Sequence, residues 1–248
     1  MKAKTMIVNM MGMLGIVFLT LSANGCAKED ASALSDDNAA AKAAMIDYTI
    51  TDLFDATSQT LIDSLPDDSI SQTESDLLIF MREEELLAQD VYTALSALYT
   101  KPIFRNITKS EAVHTEAIKA LLDKYLIADP AVNHVAGVFV NTDLQNLYTL
   151  LVAKGSVSLM EGLIVGATIE DLDIYDLKRL GAETDNADIL LVFANLERGS
   201  RNHLRSFYAN IVLYKGVYVP QYLSQEEFDG IVNTPHEFGS ASGSCFRN

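Results

Sequence analysis

Glu111 and His114 stand three residues apart in the run Ile107-Thr108-Lys109-Ser110-Glu111-Ala112-Val113-His114. On a helix that spacing puts an oxygen and a nitrogen ligand on one face, a turn apart. A mixed carboxylate and imidazole set suits iron, manganese or zinc better than calcium. Glu85, Glu170, Asp173 and His203 fall on apolar stripes elsewhere in the chain. An unpaired carboxylate is costly to bury, and several facing one another repel. A cation at their centre pairs with all of them at once. The competing reading is a metal-free network of buried salt bridges and hydrogen bonds.

The elements that must carry these residues repeat at three and four positions, the period of an amphipathic helix. A first segment, about Thr73 to Tyr99, has the stripe Leu78, Met81, Glu85, Ala88, Tyr92, Leu95, Tyr99, with Pro102 marking its end. The stripe can instead pass Leu77, Met81, Glu84, Ala88, Val91, so Glu84 and Glu85 are both candidates, and at least one of Glu83, Glu84 and Glu85 is expected to be solvated. A second segment is expected to start at Thr108, with Glu111 completing a capping box; its stripe is Ile107, Glu111, His114, Ile118, Leu121, Tyr125. A short helix over Thr142 to Lys154 precedes a third long segment, about Ser156 to Leu180, with stripe Leu159, Leu163, Gly166, Glu170, Asp173, Leu177. The fourth, about Ala187 to Lys215, carries Phe193, Leu196, Ser200, His203 and Phe207. Nothing alternates with the period of a strand. The fold class expected is all-α, a four-helix bundle with an extra short helix before its third long helix. His203 as a core histidine and Asp173 as a surface acid remain open at this point. His134 and His236 receive no role.

Lys2 and Lys4 precede an apolar run from Met6 to Leu21, and small residues lead to Cys26. That is the layout of a secretory signal over residues 1–25. Ala23-Asn24-Gly25-Cys26 resembles a relaxed bacterial lipobox, which makes Cys26 the lipidation candidate. Ala27-Lys28-Glu29-Asp30 is similar to the Lys-acid-acid signal of surface-exposed lipoproteins. The expected organisation is a tether over 26–70 with a short helix, a helical domain over 71–235 and a tail over 236–248. The expected location is the bacterial cell envelope, in the periplasm or at the outer-membrane surface, with membrane contact only through the lipid. With 34 acidic against 18 basic side chains in 248 residues, the chain is unsuited to nucleic acid. Its two cysteines cannot make a disulfide framework or a four-cysteine metal site.

Four stretches carry a family resemblance: Glu83-Glu84-Glu85-Leu86-Leu87-Ala88-Gln89-Asp90-Val91-Tyr92, the Ile107–His114 run, Val165-Gly166-Ala167-Thr168-Ile169-Glu170-Asp171-Leu172-Asp173-Ile174, and Gly199-Ser200-Arg201-Asn202-His203-Leu204-Arg205. Together with Tyr218-Val219-Pro220-Gln221-Tyr222, they resemble the ferritin-like family catalogued as domain of unknown function 2202. The resemblance implies a ferritin-like bundle and a metal site. More widely the pattern is similar to rubrerythrin-like di-iron proteins, which implies Glu85, Glu111, His114, Glu170 and His203 as ligands and Asp173 as an extra acid. The departure is Ser200, where the second Glu-x-x-His carboxylate would stand.

The resulting expectation is a protein that binds iron, as a pair or a single ion, or manganese. It would have oxidase- or peroxidase-type activity on dioxygen or peroxide, and Tyr92 would give an electron or a hydrogen bond. The alternative is a non-enzymatic metal-binding or interaction lipoprotein. The partners expected are metal ions, with a homodimer left open.

Overall fold

A computed structural model describes Ile62 and residues 69–238. The signal segment, Cys26, the tether with nearly all of its short helix, and the tail beyond Phe238 lie outside the described residues. Those residues form helices and no strand: α1 (Gln72–Leu98), α2 (Pro102–Lys124), α3 (Thr142–Gly155), α4 (Leu159–Gly181), α5 (Ala187–Leu213) and α6 (Gln225–Val232). None of these helices is long and apolar enough to cross a membrane.

The helix starts follow from local chemistry. Ser71 and Glu74 form a capping box on α1, and Ser224 and Glu227 form one on α6. Asn141 Oδ1 accepts the Asp143 and Leu144 N–H groups at the start of α3, and the Ser158 side chain accepts from Glu161 N on α4. α2 differs from expectation. It begins at Pro102, not Thr108. Proline suits the first helical turn, because its missing N–H would be unpaired there anyway. Thr108 lies inside the helix, its hydroxyl donating to the Phe104 carbonyl at 2.8 Å. Glu111 is therefore free to face inward. α6 was not anticipated from the sequence.

The four long helices each pack on two others: α1 on α2 and α4, and α5 on α2 and α4. Each buries an apolar stripe interrupted once by polar residues. Leu78, Met81, Ile118, Leu121, Leu177, Val192 and Leu196 belong to one apolar cluster. Tyr92, Leu95, Phe104, Ile107, Leu163, Leu204 and Phe207 belong to another. Along the chain, α1 and α5 pass from the first cluster to the second, and α2 and α4 pass the other way. Buried Glu85, Glu111, His114, Glu170, Asp173, Ser200 and His203 form the polar layer between them.

Buried ion pairs and hydrogen bonds fix the connections. Arg82 of α1 donates to the Thr115 carbonyl at 2.6 Å and pairs with Asp129 at 3.1 Å, joining α1 to α2 and the loop beyond it. Glu74 Oε1 accepts from Thr184 at 2.6 Å and from Asn186 at 2.8 Å, tying the loop between α4 and α5 to the start of α1.

Candidate metal centre

Glu111 is the middle of the polar layer. Its Oε2 stands 3.0 Å from His114 Nδ1, and its Oε1 stands 2.9 Å from His203 Nδ1. One carboxylate thus faces two imidazoles, one from its own helix and one from α5. Glu85 Oε2 of α1 lies 3.3 Å from His114 Nδ1, and Glu170 Oε2 of α4 lies 3.3 Å from His203 Nδ1. Two triads result, Glu85–Glu111–His114 and Glu111–Glu170–His203, with the donor atoms of each within 4.8 Å of one another. All five residues are at most 3 % exposed. The two imidazoles stack with ring centroids 5.5 Å apart.

These short separations are not hydrogen bonds. Both oxygens of Glu85, Oε1 of Glu111, Oδ1 of Asp173 and Nδ1 of both histidines have no hydrogen-bond partner. Buried polar atoms are almost always paired, so this many orphans in one layer need a common partner. A cation fits. With ligand bonds of about 2.1 Å, adjacent ligands stand roughly 3.0 Å apart in an octahedron and 3.4 Å in a tetrahedron. The 2.9–3.3 Å spacings lie in that interval.

Without a cation, protons balance the charge. Burial pushes Glu85 up, offset in part by His114, and leaves it at about 7. Burial also pushes Glu111 up, but His114 and His203 outweigh it and hold the carboxyl well below the usual range. Burial disfavours the charged form of His203, yet Glu170 and Glu111 raise it to about 10. His114 is raised in the same way by Glu111 and Glu85.

Surrounding residues aim the donors. His203 Nε2 lies 3.0 Å from Ser110 Oγ, which leaves Nδ1 for the centre. A Cβ on Gly199 would fall 2.6 Å from His114 Nε2, so glycine there gives the ring its room. The Tyr92 hydroxyl donates to Glu170 Oε1 and lies 3.2 Å from the Gly166 carbonyl. Ser200 donates its hydroxyl to Asp173 Oδ2. Neither Ser110 nor Gly199 carried a chemical signal in the sequence. A small residue opposite an inward ring is the trace that could have exposed Gly199.

The expectation that one of Glu83, Glu84 and Glu85 is solvated is corrected: all three are buried. Glu83 accepts the backbone N–H groups of Val140 and Asn141, the latter at 2.9 Å, and so holds the entry to α3. Glu84 has no hydrogen-bond partner on either oxygen; burial raises its carboxyl, and the neighbouring charges of Asp176, Asp173 and Glu85 raise it further. Only Glu85 of the three belongs to a triad. Asp173, open as a surface acid, is 6 % exposed, and His203, open as a core histidine, has an orphaned Nδ1. His134, given no role, lies 2.8 Å from Asp90, which also accepts the Gly137 N–H. Glu197 on the same helix as His203 faces away and pairs with Arg201.

Comparison with known proteins gives a family but no activity. Residues 74–235 match the model of an uncharacterized protein domain, DUF2202. An uncharacterized protein of Methanocaldococcus jannaschii is 49 % identical over 178 residues, which are 72 % of this chain and 96 % of that one. The crystal structure of a hypothetical protein from Methanococcus jannaschii superposes with a TM-score of 0.69 at 49 % identity, covering 70 % of this chain and 99 % of the other.

Proposed function

We propose that the chain, which belongs to the DUF2202 family, is a metal-binding protein whose helices form a ferritin-like bundle around two divalent cations. The observation that carries this reading is Glu111, whose two oxygens each face a different imidazole. Glu85 and His114 would complete one half of the centre, and Glu170 and His203 the other. The nitrogen and oxygen donor set suits iron, manganese or zinc, and the resemblance to di-iron bundles selects iron or manganese among them. The connection through α3 between two helices of like direction supports this reading, because ferritin-like bundles have one long crossover.

Bound iron or manganese would supply electrons for reduction of dioxygen or peroxide. The protein's own contribution is a dry, pre-shaped site. The carboxylates and imidazoles would hold the ions, and the two apolar clusters that flank the layer would keep water from it. Tyr92 keeps its proton, because burial and the Glu170 charge raise its phenol well above the ordinary value. It therefore donates a hydrogen bond to Glu170.

The test is metal analysis of the protein loaded anaerobically with Fe(II) or Mn(II). Two ions per chain, lost in Glu111→Ala while far-UV circular dichroism stays helical, is the expected result. A chain that stays metal-free, or a Glu111→Ala variant with full metal, refutes the centre. Peroxide consumption by the loaded form separates a redox enzyme from a reversible binder. The reading extends to the cell envelope through Lys2, Lys4, the apolar Met6–Leu21 run and Cys26. Lipid labelling should be lost in Cys26→Ala, and labelling that persists there would refute the anchor.

A further inference from the structure

Helices α2 and α5 each present a histidine to the centre, and the residue three positions earlier differs. On α2 it is Glu111; on α5 it is Ser200. The centre therefore has a carboxylate between the imidazoles from one side of this pair of helices and only a hydroxyl from the other. α4 carries the surplus. It brings Glu170 and, one turn further on, Asp173. We propose that Asp173 supplies the second bridging carboxylate of the centre from α4, with Ser200 as the positioning residue that holds it there.

The inference rests on the two-cation reading above and adds a ligand and its support to it. Asp173 is buried, and its Oδ1 has no hydrogen-bond partner. Its Oδ2 accepts the Ser200 hydroxyl. Each carboxylate oxygen has two lone pairs, so that bond leaves a donor site on Oδ2 as well. The Leu196 carbonyl, 3.0 Å from the Ser200 hydroxyl oxygen, is the competing acceptor for the same proton when Asp173 does not take it. Burial, and then the charges of Glu85, Glu170 and Glu111, raise the Asp173 carboxyl, so Asp173 lies within electrostatic reach of both triads while belonging to neither.

Charge points the same way. Glu85, Glu111 and Glu170 alone leave two divalent cations with an uncompensated positive charge between two apolar clusters, and buried charge is costly. A fourth carboxylate with two neutral imidazoles makes the assembly neutral. A glutamate at position 200 would add a fifth carboxylate beside Asp173. Serine there supplies a donor in place of a second negative charge.

Mn(II) titration of the full chain tests this, read by metal content and by the electron paramagnetic resonance signal of an exchange-coupled ion pair. The unaltered chain should hold two ions that couple. Asp173→Ala should lose one ion, or weaken it about tenfold or more, and lose the coupling. Asp173→Asn, which keeps the shape of the side chain, serves where the alanine variant does not fold. Adding Ser200→Glu to Asp173→Ala should restore both ions and the coupling, because the carboxylate then returns three residues before His203. Ser200→Ala should keep two ions with altered coupling, and Ser200→Thr should retain the original signal. An Asp173→Ala chain with both ions at unchanged affinity and coupling overturns the inference alone, provided Glu111→Ala empties the site. A double variant no better than Asp173→Ala overturns it too. An unaltered chain that takes up no Mn(II) overturns this inference together with the centre.

Discussion

Ser110 and His203 meet across α2 and α5, hydroxyl oxygen to Nε2 at 3.0 Å. Ser110 precedes Glu111 in the chain, so α2 both faces His203 Nδ1 with a carboxylate and holds the opposite edge of the same ring. Such outer partners fix the tautomer and orientation of a ligating imidazole. Ser110→Ala should lower metal affinity by about 10- to 100-fold without changing helicity. Competition against a chelator of known affinity measures it, and an unchanged affinity would show that Ser110 does not position the ring.

Gly199 gives the complementary case, where space is what matters. The Cβ of Gly199→Ala would stand 2.6 Å from His114 Nε2, closer than real contacts allow. The ring must move away from α5, and its Nδ1 then moves relative to Glu85 and Glu111. Metal content should fall by about one ion per chain while the His203 half retains its own. If Gly199→Ala binds the full complement, the ring has more freedom than its packing indicates.

The stripes of α1, α2, α4 and α5 were legible in the sequence because each helix buries one face with a 3.6-residue period. That is why Glu111, His114, Glu170 and His203 could be picked out as inward-facing. The three glutamates of α1 were not separable in this way. Consecutive residues fan out by about 100° each, so Glu83, Glu84 and Glu85 can all be buried only on a helix enclosed over a wide arc. α1 packs on α2, α3 and α4, and no single-stripe pattern announces that enclosure. The start of α2 was misplaced for a related reason. Thr108 and Glu111 have capping-box spacing, but Glu111 is drawn to the centre, and Pro102 begins the helix. The roles of Ser110 and Gly199 depend on which helices are neighbours, which the sequence does not state.

The segment after α6 depends on pH. Glu237 pairs with Arg201 at 2.6 Å and Arg205 at 2.8 Å, and its N–H donates to Asn202 at 2.9 Å. The hydrogen bond from Arg201, with Arg205 adding to it against the effect of burial, holds its carboxyl at about 2, against an ordinary 4.5. A carboxylate depressed in the folded state stabilises it above its unfolded value and stops doing so as pH falls through the folded one. The contribution of Glu237 is therefore complete above about 4.5 and is lost between there and about 2. Carboxyl-detected NMR titration should find a midpoint near 2 that Arg201→Gln moves upward. A midpoint near 4.5 in the unaltered chain would mean the pairs do not persist in solution.

Asp171 sits between Glu170 and Leu172 in the chain but has a structural task. It is fully buried and accepts from the Tyr218 hydroxyl at 2.8 Å and the Leu223 N–H at 2.8 Å, and also from the N–H groups of Gln221 and Tyr222. Four donors after α5 thus close on one carboxylate of α4. Asp171→Ala leaves the buried Tyr218 hydroxyl and Leu223 N–H without this acceptor and frees the Gln221 and Tyr222 N–H groups to water, a loss of about 3–5 kcal/mol. For a domain of this size that lowers Tm by roughly 10 °C. Asp171→Asn keeps one acceptor oxygen and should fall less. Because the side chain points away from the triads toward the 218–223 segment, the asparagine variant should retain full metal content. Calorimetry with parallel metal analysis separates the two effects. A Tm change under about 2 °C in Asp171→Ala would show that water replaces the carboxylate, and metal loss in Asp171→Asn would show that the 218–223 segment shapes the centre through Glu170.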